Sequence, residues 1–371
     1  MNNRERTMAI LNYQEYDRMP IVHFGYWNET LIKWAEEGYL SMELAKAWGD
    51  GNEADKEIDN LLGWDFNWSR SIGGSIQLLP PFKRKVLKER ADGTLEVLTG
   101  EGVTILEKPG IVSIPAEIDH LLTDRKSWEE LYLPRLQWSI DRINPYTLNP
   151  PKGWAERELP IAIWCGSLLG TIRDWFGLVN LSYIMADDPD LVDEIIKTVA
   201  DLSYKNLQTI LEVNDDFDTA HYWEDISFKN GPLISPRFFK KAVGPYYKRN
   251  SELLNDHGIN IISLDSDGNI DKLVPIWLNN GVNTMFPIEV GTWNASIAPW
   301  REKYGRELRG VGGMNKVVFS RDYKAIDEEV ERLKKLVDLG GYIPCPDHRI
   351  APDGKWENVL YYVDRMHQTF G

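Results

Sequence analysis

From Leu159 to the C-terminus, short apolar runs alternate with longer segments whose apolar residues return every three or four positions. "LPIAIWCGS" (Leu159–Ser167) has the unbroken apolar run of a buried strand. "DPDLVDEIIKTVADLSYKNLQTILE" (Asp188–Glu212) opens on acids and then repeats at helical spacing, which predicts an amphipathic helix. Further strands are expected in "FDTAHYWEDI", "INIISLDSDGN", "VNTMFPIEV", "LRGVGGMN" and "GYIPCPDH". Between them, "SPRFFKKAVGPYYKRNSELLNDHG" reads as one Ser-capped helix carrying Pro245 and ending at Gly258. Helices are also expected in "IDKLVPIWLNNG", "SIAPWREKYG" and "YKAIDEEVERLKKLVDLG". Near the start, "DRMPIVHFGYW" reads as the first strand.

Sustained strand–helix alternation implies a parallel sheet, and closing it predicts an α/β fold of the (β/α)8 TIM-type barrel class with an N-terminal helical extension. An open doubly wound sheet fits less well, because "HFGYWNET" after the first strand lacks the GxGxxG turn. Residues 53–138 break the rhythm. There "GGSIQLLPPFKRKVLKERADGTLEVLTGEGVTILEKPG" (Gly73–Gly110) alternates like antiparallel strands around an Asp-Gly turn, and an inserted β-hairpin region is expected. The proline-rich Arg142–Pro160 is expected to be a loop within one domain spanning 1–371.

A net charge of −15 offers no basic face for phosphates, which argues against nucleic acid as a partner. No apolar run reaches the length of a membrane span, and the opening "MNNRERTMAILNYQEYDRMP" lacks the apolar core of a secretion signal. The two cysteines, Cys165 and Cys345, are too few for a disulfide framework and too far apart for a CxxC motif. A cytoplasmic, soluble protein is expected. Its 15 Trp, 16 Tyr and 11 Phe are enough to line a pocket as well as fill a core.

In such a barrel the C-terminal strand ends carry the chemistry. Those ends hold His23, Tyr26 and Trp27; Cys165 and Ser167; His221, Tyr222, Trp223, Glu224 and Asp225; Asp265 and Asp267; Glu289; Met314 and Asn315; Asp347 and His348. Asp265 and Asp267 stand two apart, so an extended chain turns both carboxylates to one side. A competing reading is an Asx turn built by "DGN", which accounts for Asp267 better than for Asp265.

The ordered set "DRMP" (Asp17–Pro20), "LDSDGN", "FPIEV", "GVGGMNK" and "GYIPCPDHRIAPDGKWENV" resembles the uroporphyrinogen decarboxylase superfamily. The resemblance runs through the whole chain and is strongest after Pro160. It implies a (β/α)8 barrel but two different chemistries. Decarboxylases of this superfamily grip the substrate's carboxylates with an arginine-rich segment after the first strand, whereas this chain has no arginine between Arg18 and Arg70. The other branch comprises cobamide-dependent methyltransferases. Its zinc-binding members carry His-x-Cys-Gly where this chain has Asp265-Ser266-Asp267-Gly268, and a further Cys near Asp347–His348. With both thiol positions changed, Asp265, Asp267 and His348 make a harder oxygen/nitrogen set, suited to Zn²⁺ or another divalent ion. Without a metal, the same acids suit proton donation to a leaving oxygen.

The chain most resembles O-demethylase methyltransferases, which pass the methyl of a phenyl methyl ether to the cobalt of a separate corrinoid protein. The resemblance thus implies catalytic roles for Asp265, Asp267, Glu224 and His348. Substrate contacts are expected from His23, Tyr26, Trp27, His221, Tyr222, Trp223, Glu289 and Asn315. A small methoxylated aromatic substrate and a corrinoid-protein partner follow, and a homodimer is compatible with them. A corrinoid site within the chain is not expected, since it has no DxHxxG motif. Three alternatives stand beside this reading: a decarboxylase for another small acid, a glycoside hydrolase using Glu224 and Glu289, and a barrel that only binds its ligand.

Overall fold

The computed structural model describes residues 1–108 and 115–371, and within them the expected barrel strands find parallel partners. Strand β1 (Val22–His23) pairs with β2 (Phe66–Asn67), and β3 (Ser71–Gly73) continues the β2 path after Trp68–Arg70. Next come β4 (Lys85–Glu89), β5 (Leu95–Leu98), β6 (Val103–Glu107) and β7 (Ala116–His120), an antiparallel sheet of their own. The barrel resumes with β8 (Ala162–Gly166) and β9 (Thr219–Trp223). A small hairpin of β10 (Ser227–Phe228) and β11 (Gly231–Pro232) follows. The last strands are β12 (Ile262–Asp265), β13 (Thr284–Phe286), β14 (Arg309–Met314) and β15 (Tyr342–Pro346).

Neighbours run in the order β15-β14-β13-β12-β9-β8-β3, each pair parallel. The ring closes between its ends, where the Ile350 N–H donates to the Gly25 carbonyl at 3.0 Å and the Trp27 N–H to the Ile350 carbonyl at 3.1 Å. With β2 and β3 counted as one path, this is the eight-stranded parallel barrel that the alternation predicts. Its strands are apolar on both faces because one packs the interior and the other the helices.

The helix Pro189–Leu211 shows how local sequence builds the outer layer. The Asp188 carboxylate accepts the Leu191 N–H at 3.0 Å, and Pro189 opens the first turn, where its missing N–H has no cost. Leu191, Ile195 and Val199, four apart, are fully buried against the sheet. The N-terminal extension holds the helix Asn3–Leu11, which opens with reciprocal bonds between Asn2 and Glu5. It is fastened by Arg4 to Asp216 at 2.7 Å and to Asp218 at 2.6 Å.

Two expectations are corrected. The segment after Ser235 is two helices, Pro236–Ala242 and Gly244–Asp256, because Pro245 has no N–H to continue the ladder and so begins a new helix. The region 53–138 is not all insertion, since it contains the helix Glu53–Leu62 and the second barrel strand. That strand escapes pattern reading because its path is broken at Trp68–Arg70. Its Asn67 is buried, donating to Asp50 at 2.9 Å and Asp55 at 3.0 Å. The inserted hairpin is a four-stranded sheet, with Asp92-Gly93 turning β4 into β5 as expected. Pro109 and Gly110, the end of the expected antiparallel stretch, lie outside the described residues. Among the described residues no helix is long and apolar enough to cross a membrane.

Candidate functional site at the barrel mouth

Which face of each strand a side chain occupies decides what reaches the mouth. Rings from different strands meet across the interior: Phe24 lies 4.5 Å from Phe286, Trp68 6.4 Å from Phe286, and His221 6.1 Å from Phe286. Trp164 adds a contact to His221 at 5.9 Å. These side chains form an aromatic floor. The His221 Nδ1 pairs with the Ser263 hydroxyl at 2.7 Å, and burial pushes the imidazole down to about 4. Two residues beyond Ser263, Asp265 takes the same face and stands above this floor.

Around Asp265 the loops after several strands converge. The His348 Nε2 lies 3.3 Å from Asp267 Oδ2, and its ring is stacked on Trp27 at 5.6 Å and meets the edge of Phe24 at 5.7 Å. Glu289 accepts the Gly268 N–H at 2.5 Å and the Thr292 hydroxyl at 2.8 Å, so the loop after β13 holds the Asp-Ser-Asp-Gly turn. Gly268 is required there: its φ is +83° and a Cβ would press on the Ser227 backbone. The Asp347 carboxylate accepts N–H groups from Gly291 at 2.7 Å and Lys316 at 3.1 Å. Asn315 stands at the same rim, its side chain accepting the Val317 N–H at 3.1 Å.

Crowding acids together in a half-buried mouth favours their neutral forms. Burial, then Asp267 and Asp225, pushes Asp265 well above the usual carboxylate range. Asp225 is raised to about 6 by burial and by Asp267, against the pull of Arg173 and His348. Glu289 is raised by burial and by Asp267, and Asp347 by burial. The Asp267 Oδ1 and the His348 Nδ1 are both buried without a hydrogen-bond partner.

The sequence-expected set divides by strand phase. Asp265, Asp267, His348, Glu289, Trp27, Asn315 and His221 gather at or beneath the mouth. On β9, His221 faces the interior, whereas Tyr222 packs 4.9 Å from Tyr247 in the helical layer. Glu224 faces the same way. Its fully buried carboxylate accepts the N–H groups of Leu168 at 2.6 Å and Gly170 at 2.6 Å, a further N–H from Leu169 and the Tyr247 hydroxyl. It therefore caps the helix Gly170–Phe176 and has no lone pair left for a substrate. Trp223, in phase with His221, is half-buried on the interior face. His23 and Tyr26 are also turned away from the mouth. The His23 Nδ1 accepts the Gly25 N–H at 2.9 Å and Nε2 faces Asp59 at 2.7 Å, while Tyr26 packs on Trp34 and Trp48.

The expected metal donors are not gathered as one set. Among the described residues, the group of three whose donor atoms lie within 4.8 Å of one another is His23, Asp55 and Asp59. That group is already satisfied: Asp55 accepts the Trp48 indole at 2.6 Å and the Gly51 N–H at 2.7 Å. Both cysteines are buried, and burial raises Cys165 to about 12 and Cys345 above its ordinary value. The donor set does not fit a resident zinc ion.

Sequence reading missed the floor residues Phe24, Trp68, Trp164 and Phe286, and the cations Lys316, Arg349 and Arg173. Strand phase reveals Phe24, one residue from His23 and on the opposite face. Trp68 needed the second strand to be recognised. Arg349 pairs with Asp50 at 2.6 Å and Arg173 with Asp174 at 2.6 Å. Lys316 Nζ instead donates to the Arg349 carbonyl at 3.1 Å.

Residues 175–369 match the family described as Uroporphyrinogen decarboxylase (URO-D). Among solved structures, a methyltransferase from Methanosarcina mazei is similar over 100% of this chain and 99% of its own, with a TM-score of 0.62 and 14% identity. A B12-independent methionine synthase from Shewanella sp. W3-18-1 covers 95% of this chain and 99% of its own, with a TM-score of 0.47 and 11% identity. The Methanosarcina likeness shows the shared fold. No curated protein sequence matches the chain.

Proposed function

Given that the chain belongs to the uroporphyrinogen decarboxylase family, we propose that it is a methyltransferase component that takes the methyl of a methoxylated aromatic and passes it to the cobalt of a separate corrinoid protein. The observation that carries this reading is a set of acids biased to their neutral forms above an aromatic floor. A neutral methoxyarene suits the floor, and a neutral carboxyl suits the ether oxygen. A substrate bearing many carboxylates suits it poorly, because Arg349 and Arg173 are already paired with acids. The Methanosarcina neighbour, itself a methyltransferase, supports the same branch. The glycosidase alternative loses its pair, since Glu224 is engaged in the helical layer.

In this mechanism the ring lies on Phe24, Trp68 and Phe286 with its methoxy oxygen toward Asp265. The methyl carbon faces the open mouth, where the partner's cobalt(I) supplies the electron pair for the new bond. As the methyl–oxygen bond breaks, its electrons stay on oxygen, and Asp265 then gives that oxygen its proton. Asp267 and His348, paired at 3.3 Å, hold the turn that aims Asp265. Asp225 shares the cluster's remaining proton. No step runs through a resident metal, so a chelator leaves the rate unchanged.

The test is anaerobic: purified protein, a corrinoid protein reduced to cobalt(I), and guaiacol, veratrole and vanillate, with and without chelator. Loss of the cobalt(I) absorption with growth of methyl-cobalt(III) is expected for at least one ether. Silence with every ether, beside a corrinoid protein competent with its own methyl donor, would overturn the reading.

A further inference from the structure

The mouth holds a cation, the lysine that ends the GVGGMNK stretch, to which neither the expected site set nor the proposed acid chemistry gives a role. Lys316 follows β14 and is half-buried between the loop after β13 and the loop after β15. Its backbone N–H is tied to Asp347 at 3.1 Å and its ammonium to the Arg349 carbonyl at 3.1 Å, which fixes both ends of the side chain. An ammonium has three donors, and the described contacts use one of them. Arg349 and Arg173, by contrast, spend their charge on Asp50 and Asp174. Asp347, Glu289 and Asp267 all act electrostatically on the Lys316 ammonium, so it belongs to the same cluster. Asp267, one of the acids acting on it, keeps Oδ1 buried without a hydrogen-bond partner, as does His348 its Nδ1.

Building on the methyl-transfer reading, we propose that Lys316 is a catalytic residue whose ammonium stabilises the phenolate oxygen released when the methyl departs, making the substrate class aryl rather than alkyl methyl ethers. When the carbon–oxygen bond breaks, the electron pair remains on the aryl oxygen and the methyl passes to the partner's cobalt(I). The negative charge appears on that oxygen and nowhere else, so a fixed cation beside it acts more strongly in the transition state than in the ground state. A hydrogen bond from Nζ carries that charge until the neighbouring acid cluster supplies the proton. Burial lowers the Lys316 value, against the pull of Asp347, which makes the ammonium a better donor to an anionic oxygen.

Two measurements test this and separate it from the parent reading. The first uses para-nitrophenol, whose phenolate absorbs in the visible, with no corrinoid present. Wild type should bind it as the phenolate and shift its ionisation to lower pH. Lys316→Met should bind it roughly tenfold or more weakly, with the shift gone, and Lys316→Arg should keep part of both. Equal binding and equal shift in wild type and Lys316→Met overturns the proposal, whatever the methyl-transfer result. The second measures methyl transfer from anisoles whose phenols differ in acidity. The loss in Lys316→Met should be largest, roughly a hundredfold, for the least acidic phenol and should shrink for nitro-activated ethers. The same loss for every ether, or no loss, overturns the proposal by showing that Lys316 only holds Asp347 in place. A thermal melt matching wild type confirms that the variant is folded. Phenolate binding without any methyl transfer would instead refute the methyl-transfer reading alone.

Discussion

At the scale of single residues, two acids of similar sequence context have opposite jobs, and substitution should separate them. Asp267 lies at the mouth beside His348, so Asp267→Ala should lower methyl transfer roughly a hundredfold or more while leaving the unfolding midpoint unchanged. A wild-type rate in that variant would remove the site assignment. Glu224 is fully buried and satisfies consecutive backbone N–H groups at Leu168, Leu169 and Gly170. Glu224→Ala strands those donors away from water and should cost roughly 3 kcal/mol or more in denaturant unfolding. The sequence places both acids at strand ends. It does not by itself show that the residue after Trp223 points to the helices, because the two faces of a parallel strand are equally apolar.

At the scale of elements, the end of β14 is built for the strand beside it. Gly312 has φ +120°, and a Cβ there would collide with the Pro287 carbonyl. Gly312→Ala should therefore leave little soluble, cooperatively folding protein, measured as yield and as the sharpness of the melt. Element reading from sequence succeeded where period and caps were strong, as in Pro189–Leu211 with Asp188 before it. It failed at β2 and β3, where a barrel strand is interrupted at Trp68–Arg70 and carries the buried Asn67, whose amide donates to Asp55 of the helix Glu53–Leu62 and to Asp50 before it. It also ran one helix across Pro245, where the missing N–H starts a second helix.

At the scale of the whole molecule, the inserted sheet brings charge to the barrel. Glu101 and Glu117 of the insertion act on Asp174, which is also near Asp225. Burial is the main cause raising Asp174 from 3.8 to about 7, even with Arg173 at 2.6 Å. A carboxyl raised on folding keeps its contribution to stability at low pH. That contribution is lost as pH rises through the folded-state value. The window thus runs from about pH 4 to about pH 7. Asp174→Asn cannot ionise, so between about pH 4 and about pH 8 its stability should gain on wild type by roughly 2 kcal/mol. Urea unfolding at both pH values checks this, and parallel pH curves for the two proteins would refute it.

The class of the molecule is legible along the chain: the alternation of strand and helix, the barrel it implies, and the acids and His348 at the strand ends. Those follow from local periodicity and from motifs that stay contiguous in the chain. Which face each strand end presents is set by the assembled barrel, and with it the division of His221 from Tyr222 and of Asp265 from Glu224. The same packing leaves Asp265, Asp267 and His348 short of one donor set, and brings Lys316 near Asp347, Glu289 and Asp267 and the aromatic rings together beneath them. Those depend on distances between strands far apart in sequence, set by barrel closure and packing, which no local pattern encodes.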